Sequence, residues 1–334
     1  MLGLALAGPA SALTLSAVGD VLLWYGPMAG TLQSVSAAAH TPWDVSVYPF
    51  ERVQPYLKGL VFGNLEGPLT AKPAHRYKPK WMRFYFKSPV NEAVAALKQG
   101  GFRVMSVANN HSMDSGARGL HESLAALQAG DIQAVGAGDD EAQARRPVTI
   151  SSAQGGKVTF LAFCAVGPLG TFAGPHSPGA ARADEDTILR SVKAALKPGI
   201  PVVVSLHWGI EQQRDLPVIE PQDEQRELAR RIIDAGAVLV LGHHPHVVTR
   251  FEERGRGLIV YSLGNFLFSG ARIKDRRRSV ILHVDLDASG VHSWDLVPVW
   301  TDGPEHPFQP EPMPKAIGQA YLAKLLNGRY PHYQ

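Results

Sequence analysis

The sequence has a single cysteine, a small net charge and few long apolar runs, and each scarcity excludes a class of protein. With only Cys164 in 334 residues, the chain cannot form an internal disulfide. A net charge of +3 is small for this length and gives no support for binding to nucleic acid or to a membrane surface. Beyond the first twelve residues, no apolar stretch is long enough to span a bilayer. The composition, 45% hydrophobic and 19% charged, is that of a globular protein with a large core.

The first twelve residues form an apolar segment that ends in Ala10-Ser11-Ala12. An Ala-x-Ala ending after an apolar stretch is typical of a secretory signal peptide. The basic residues that open such a peptide are missing, which indicates a start codon further upstream. We therefore expect residues 1–12 to be the remainder of a signal peptide on an exported protein of the periplasm or cell envelope. The alternative is a leader with no role in export.

Apolar runs alternate with amphipathic segments along the chain, which predicts an α/β fold. Strands are expected over 14–18, 60–63, 103–107, 202–206, 237–241 and 258–263. Two further runs, 280–286 and 291–299, alternate in polarity and predict a hairpin that turns at 288–290. Cys164 lies in the apolar run 160–164, which predicts a buried strand residue.

Helices are predicted between these strands. Ser88-Pro89 is typical of a helix start, with Ser88 as the N-cap and Pro89 at the first helical position, and Gly100-Gly101 marks the end. Other helices are expected before Gly130, over 184–196 and over 221–235. We expect one domain over 13–300, followed by a Pro-rich segment and a helix at 315–326 that packs on it, within 301–334.

Five polar clusters stand at the ends of predicted strands. They are Gly19-Asp20, Gly63-Asn64-Leu65-Glu66, Ala108-Asn109-Asn110-His111, His207-Trp208-Gly209 and Gly242-His243-His244-Pro245-His246. Because ligands of α/β sheets bind outside the carboxyl ends of the strands, these clusters are expected to converge. Carboxylates that follow apolar strands are costly to bury without a cation or hydrogen bonds. Imidazole, amide and carboxylate ligands without a thiolate suit Mn, Fe, Zn or Mg, and we expect two such ions.

Six motifs give the chain a resemblance to a known family. They are GDVLL, GNLEGPLT, ANNHSMDSG, HWGIE, GHHPHVV and YSLGNF. Their order and spacing, from about Leu15 to Phe268, resemble the CapA family of poly-γ-glutamate capsule-biosynthesis proteins. That family belongs to the calcineurin-like metallophosphoesterase superfamily. The resemblance implies a four-layer α-β-β-α sandwich with a two-metal site between its sheets.

The resemblance also implies roles for individual residues. The implied metal ligands are Asp20, Glu66, Asn110, His207, His244 and His246. His111 matches a general acid or phosphate-binding histidine, and Asp114 either orients it or caps the following helix. The first motif of the superfamily usually reads Asp-x-His, but Asp20 is followed by Val21 and Leu22, so one metal ligand is missing. Glu66 stands where the superfamily usually has a bridging Asp. These departures point to one weakly bound metal or to action on a different bond.

Four further residues of the motifs, and one outside them, are predicted to contact the substrate. They are Arg76, Asn109, Trp208, Glu211 and His243, the last of which has no clear counterpart in the superfamily motif. Arg76 lies in the basic and aromatic stretch 72–87, which is either a cationic rim for an anionic substrate or a solvated loop. Such a stretch also suits single-stranded nucleic acid, but an exported leader argues against that partner. Trp208 either lines the pocket or packs in the core.

Two functions stay open on the sequence. The first is an exported metal-dependent phosphoesterase-like hydrolase, in which a metal-activated water attacks phosphorus and His111 protonates the leaving oxygen. The second is a component that binds poly-γ-glutamate during capsule synthesis and export, with the metal site used for amide chemistry or for binding alone. A metal-free structural relic is a third reading. The expected partners are an anionic small molecule or polymer, poly-γ-glutamate among them, and capsule-synthesis membrane proteins, without nucleic acid.

Overall fold

The structure is a computed structural model that describes residues 12–23, 46–71, 85–153, 155–212, 220–268, 274–302, 306 and 308–327. The strands of these residues are β1 (Leu13–Leu22), β2 (Leu60–Leu65), β3 (Phe102–Ser106), β4 (Gln133–Val135), β5 (Ala137–Gly138), β6 (Val148–Ser151), β7 (Lys157–Cys164), β8 (Gly179–Ala180), β9 (Val202–His207), β10 (Leu239–His243), β11 (Phe251–Arg254), β12 (Gly257–Val260), β13 (Asn265–Phe268), β14 (Arg278–Asp287), β15 (Gly290–Trp300) and β16 (Glu311–Pro312).

The helices of the same residues are α1 (Val90–Gln99), α2 (Gly116–Ala129), α3 (Glu141–Ala144), α4 (Glu185–Ala195), α5 (Asp223–Asp234) and α6 (Lys315–Leu326). Short 3-10 turns occur at Gln54–Tyr56, Leu169–Thr171 and Lys274–Arg277. None of the helices in the described ranges is both long enough and apolar enough to cross a membrane.

Most of the strands form two mixed sheets. The first has eight strands in the order β16-β15-β14-β1-β2-β3-β4, with β13 also paired to β1, and the second has six in the order β11-β12-β10-β9-β7-β6. Strands β5 and β8 form a separate pair. The strands that bear the polar clusters run parallel, β1 to β2 to β3 in one sheet and β9 to β10 in the other. Their carboxyl ends therefore lie along one edge of each sheet.

Three apolar cores separate four layers. The central core lies between the sheets, where the rings of Phe62 and Phe160 stack with centroids 5.3 Å apart. The outer face of the first sheet packs on α1 and α2 through residues such as Leu97. The outer face of the second sheet packs on α4 and α5 through Ile188 and Ile232. This order of helix, sheet, sheet and helix confirms the predicted α-β-β-α sandwich.

The predicted elements are mostly present, with shifted ends. The β14–β15 hairpin and the terminal helix α6 are confirmed. The strand predicted over 258–263 stops at Val260, because the chain then crosses to the first sheet, where β13 pairs with β1. Pro89, with an extended ψ of 136°, is the N-cap of α1. Ser88, the predicted cap, therefore lies one residue before it, and the backbone N–H of Ser88 donates to the carbonyl of Pro68.

Cys164 is the last residue of β7 and is fully buried, as the sequence predicted. Burial raises the pKa of its thiol to about 12. The thiol donates to the backbone carbonyl of Val166 at 3.0 Å. A buried thiol that keeps its proton is chemically inert, so Cys164 has a packing role.

Gly242, in β10, is packed too closely for any side chain. A Cβ atom there would lie 1.9 Å from the carbonyl oxygen of Tyr261, in the segment that crosses between the sheets. We expect Gly242→Ala to lower the free energy of unfolding by about 3 kcal/mol, because backbone must move to relieve the clash. Urea denaturation followed by circular dichroism measures this loss.

Gly155→Ala is the control for this substitution. Gly155 has a positive φ, of 91°, which Gly242 does not have, and a Cβ atom there would meet no atom within 4 Å. We expect it to cost only about 1 kcal/mol, from the backbone conformation alone. Equal losses in the two variants would contradict the steric explanation.

Candidate metal centre

Residues from both sheets meet at one end of the sandwich. In the first sheet, Asp20 of β1 pairs in register with Asn64 of β2. In the second sheet, His207 and His243 end β9 and β10 directly opposite each other. Residues 261–264, which lead from β12 in the second sheet to β13 in the first, connect the two groups. The backbone N–H of Asp20 donates to the carbonyl of Gly264 in this segment at 2.8 Å. The predicted convergence of the strand ends is therefore present.

Asp20, Glu66 and His207 form a group that could hold a metal ion. Each offers one ligand atom, and these atoms lie within 4.8 Å of one another. Asp20 and Glu66 have no exposed surface and His207 has 1%. Asn110 joins the group, since its Oδ1 lies 2.8 Å from Nε2 of His207. Two buried carboxylates with an imidazole and an amide oxygen fit a divalent cation both in charge and in ligand type.

Asp20 also faces a second pair of imidazoles. Nδ1 of His243 lies 3.3 Å from Oδ1 of Asp20, and Nδ1 of His246 lies 3.0 Å from Oδ2. The same nitrogen of His246 lies 3.0 Å from Oδ1 of Asn265 in β13. His243 is fully buried, and Nε2 of its ring makes no hydrogen bond. Asp20, His243 and His246 therefore form a second group of possible cation ligands next to the first.

Sequence reasoning gave His244, not His243, a metal role. The His244 ring lies beside the rings of His207 and His246, with centroids 4.9 and 5.9 Å away. His243 is the last residue of β10 and contacts Asp20, whereas His244, with a φ of 97°, begins the turn that follows the strand. The sequence could have indicated a role for His243 next to Asp20, because His243 follows Gly242 directly, just as Asp20 follows Gly19. A metal role for His244 stays a prediction.

The protonation states of the site suit a cation. Burial alone would raise the pKa of Asp20, but its contacts with His243 and His246 outweigh burial and hold that pKa well below its ordinary value. Burial, together with the charge of His244, lowers the pKa of His207 well below its ordinary value. Asp20 is thus ionised and His207 neutral at neutral pH, which are the forms that bind metals.

Two asparagines connect the carboxylates to His111. Nδ2 of Asn64 donates to Oδ1 of Asp20 at 2.8 Å and to Oε2 of Glu66 at 2.7 Å. Nδ2 of Asn109 donates to Oδ1 of Asn64 at 3.1 Å, and Oδ1 of Asn109 accepts the backbone N–H of His111 at 3.1 Å. Asn109, predicted to contact substrate, is fully buried in this network. Asn64 stood in a predicted cluster but had no predicted role, since an amide there gave no signal of its own.

His111 and Asp114 form a hydrogen-bonded pair, with Nδ1 of His111 2.7 Å from Oδ2 of Asp114. The same carboxylate oxygen accepts the backbone N–H of Phe86 at 2.7 Å. Because an ionised carboxylate only accepts, Nδ1 bears the proton and Nε2 is the atom directed to the site, 3.9 Å from Oε1 of Glu66. Helix α2 has Ser115 as its N-cap, so of the two readings of Asp114 the geometry favours orientation of His111.

The other residues predicted to contact substrate lie in different environments. Trp208 is 3% exposed and stacks on Tyr261, whose carbonyl accepts its Nε1–H at 3.0 Å, so its ring packs in the core. Glu211 is half exposed and accepts a hydrogen bond from Arg276 at 2.8 Å. Burial acts to raise the pKa of Glu211, but the charges of His246 and Arg276 lower it overall. Arg76 lies outside the described residues.

Comparison with known proteins identifies the family. The family model described as bacterial capsule synthesis protein PGA_cap matches residues 14–270. The capsule biosynthesis protein CapA of Bacillus anthracis is 34% identical over 260 residues, which cover 75% of this chain and 61% of that protein. The PGA biosynthesis protein CapA of Bacillus subtilis is 32% identical over 252 residues, covering 75% of this chain and 64% of that protein. The chain thus spans less than two thirds of the length of these relatives.

Among solved structures, the NAD nucleotidase of Haemophilus influenzae is similar over 94% of this chain and 55% of that chain, at 12% identity and a TM-score of 0.49. At this TM-score and identity, the similarity does not indicate a function. The family match, in contrast, includes every polar cluster that meets at the site. The chain belongs to the bacterial capsule synthesis protein PGA_cap family.

Proposed function

We propose that this protein is an exported, metal-dependent phosphoesterase-like hydrolase of poly-γ-glutamate capsule synthesis. One observation is central to the proposal: two groups of buried cation ligands share Asp20, with the His111–Asp114 pair beside them. The names of the curated relatives supply the capsule context. Export rests on the signal-like segment 1–12, most of which lies outside the described residues.

The ligands divide into two sets around Asp20. Glu66, His207 and Asn110 would hold one divalent ion with Asp20, and His243 and His246 would hold the other. The metals, when bound, would polarise a phosphoryl oxygen and lower the pKa of a water molecule. The donor set suits Mn, Fe, Zn or Mg, because it contains no thiolate. Burial of the ligands keeps bulk water from competing with them for the ions.

His111 supplies the proton in this proposal. In the cationic, doubly protonated form of the ring, Nε2, which faces Glu66 at 3.9 Å, would donate its proton to the leaving oxygen, while Nδ1–H keeps its hydrogen bond to Asp114. The buried Asp114 carboxylate fixes the ring and stabilises its cationic form. The backbone N–H of Phe86 and the Phe86 ring, whose centroid lies 4.0 Å from that of His111, hold the pair in place.

The substrate in this proposal is anionic, either a small phosphoester or a polymer. Poly-γ-glutamate is the polymer that the relatives' names suggest, and the membrane proteins of capsule synthesis are the proposed partners. The negative charge of a substrate would be attracted by the bound cations.

Metal content and turnover together test the proposal. The purified chain is reloaded with Mn, its metal is measured by plasma mass spectrometry, and phosphodiester hydrolysis is assayed with and without EDTA. We expect about two ions per chain and turnover that EDTA abolishes. A chain that binds no metal would overturn the proposal. Poly-γ-glutamate binding without any turnover would favour a binding component instead.

A further inference from the structure

The side-chain amide of Asn64 lies between the two carboxylates that the metal centre contains. Its Nδ2 has two N–H groups and directs one to Oδ1 of Asp20, at 2.8 Å, and the other to Oε2 of Glu66, at 2.7 Å. All three side chains have no exposed surface. Two buried anions side by side repel each other, and a shared donor offsets part of that cost.

The carboxylates that the amide binds also contact the imidazoles. Oδ1 of Asp20, which accepts from Asn64, lies 3.3 Å from Nδ1 of His243, and Oδ2 lies 3.0 Å from Nδ1 of His246. Oε1 of Glu66 lies 3.8 Å from Nε2 of His207. Asn64 thus fixes the orientation of a ligand in each of the two groups described above.

The orientation of the amide itself is fixed by Asn109. Oδ1 of Asn64 accepts a hydrogen bond from Nδ2 of Asn109 at 3.1 Å, and the same nitrogen donates to the carbonyl of Leu65 at 2.7 Å. A rotation by 180° would place Oδ1 of Asn64 against two carboxylate oxygens and its N–H groups against a donor. The amide oxygen of Asn64 therefore accepts from Asn109, and its two N–H groups donate to the carboxylates.

We propose that Asn64 is a positioning residue that sets the cation affinity of this site by holding Asp20 and Glu66 in their binding orientation. The inference rests on the metal centre of the proposed function but not on its hydrolytic activity. Hydrogen-bond partners of metal ligands orient those ligands, and their loss typically weakens metal binding about 10–100-fold.

Asn64→Ala tests this role through binding rather than turnover. Titration with Mn²⁺ by isothermal calorimetry compares its Kd with that of the wild-type chain, and circular dichroism checks the fold. We expect a Kd that is about 10–100-fold higher. A folded variant whose Kd stays within about twofold of wild type would overturn the proposal.

Ser123→Ala separates the positioning effect from general destabilisation. Ser123 is also buried, but its hydroxyl bonds to the backbones of Leu69 and Gly119, at 2.8 and 2.7 Å, and not to a carboxylate. We expect this variant to unfold at a lower temperature with an unchanged Mn²⁺ Kd. If it weakened Mn²⁺ binding as much as Asn64→Ala, the specific role of Asn64 would be refuted.

Asn64→Ser gives a second measurement, which also serves if the alanine variant fails to fold. Its hydroxyl has one donor where the amide has two N–H groups, so it can bind only one of the two carboxylates. We expect a Mn²⁺ Kd above that of wild type and no higher than that of Asn64→Ala. A folded variant whose Kd stays within about twofold of wild type would overturn the proposal.

These results distinguish the two proposals. A wild-type chain that binds Mn²⁺ without hydrolysing any phosphoester refutes the hydrolase, while the Kd of Asn64→Ala still decides the role of Asn64. An unchanged Kd in Asn64→Ala refutes the positioning role and leaves the hydrolase standing. A wild-type chain that binds no Mn²⁺ refutes both.

Discussion

Asp20→Asn is expected to lower metal-dependent kcat/KM by about 10³-fold or more, which corresponds to the several kcal/mol that Lewis-acid stabilisation supplies. The reason is the position of Asp20 between two groups of ligands. It lies in the group with Glu66 and His207, and it also contacts His243 and His246. The amide keeps the shape of the carboxylate but removes the charge that both groups share.

The measurement combines phosphodiester turnover with the metal content of the reloaded variant. We expect fewer bound ions per chain as well as the loss of turnover. Asp234→Asn is a suitable control, because Asp234 is half exposed at the end of α5 and pairs only with Arg254 among the contacts described for it. Turnover by Asp20→Asn at the wild-type rate would place the reaction elsewhere in the protein.

His111→Asn is expected to lower kcat by about 10²–10⁴-fold while the Mn²⁺ Kd stays unchanged. His111 faces the site through Nε2 but is not among the three side chains whose ligand atoms cluster. Its loss should therefore remove the proton donor and spare the cations.

The choice of leaving group makes this test specific. A nitrophenolate leaves without protonation, whereas an alkoxide needs a proton, so His111→Asn should impair alkyl esters far more than nitrophenyl esters. Asp114→Asn should show the same trend with a smaller effect, since it removes the orienting partner and not the acid. His121→Asn is the control, because His121 is half exposed and pairs with Asp139. Equal losses for both classes of ester would contradict a role as general acid.

Much of the fold could be predicted from local sequence. The alternation of apolar strands and amphipathic helices predicted the layers, and turn residues such as those at 288–290 predicted the β14–β15 hairpin. The strand predicted over 258–263 was too long, because the crossing from the second sheet to the first depends on β13 pairing with β1. Such a long-range pairing leaves no mark on the apolar pattern of the segment itself.

The roles of neighbouring residues in one cluster were harder to predict. His243 and His244 are adjacent and identical in type, and only the left-handed backbone of His244 and the pairing of His243 with His207 show which one reaches Asp20. Trp208 had two readings, and the stacking on Tyr261 favours packing. Each outcome depends on backbone direction and on a partner distant in sequence.

The sequence by itself determined the alternation of strands and helices and the residue types available at the strand ends, because periodicity is a local property of the chain. The order of its motifs indicated the family, and the resemblance to that family implied the layer order. Only the tertiary structure decided how those residues divide between the two ligand groups and that Asn64 links the carboxylates. Hydrogen bonds such as those from Asn64 to Asp20 and from Asn109 to Asn64 span more than forty positions. They form only once the parallel strands have aligned, so their geometry is a property of the sheet and not of any one segment.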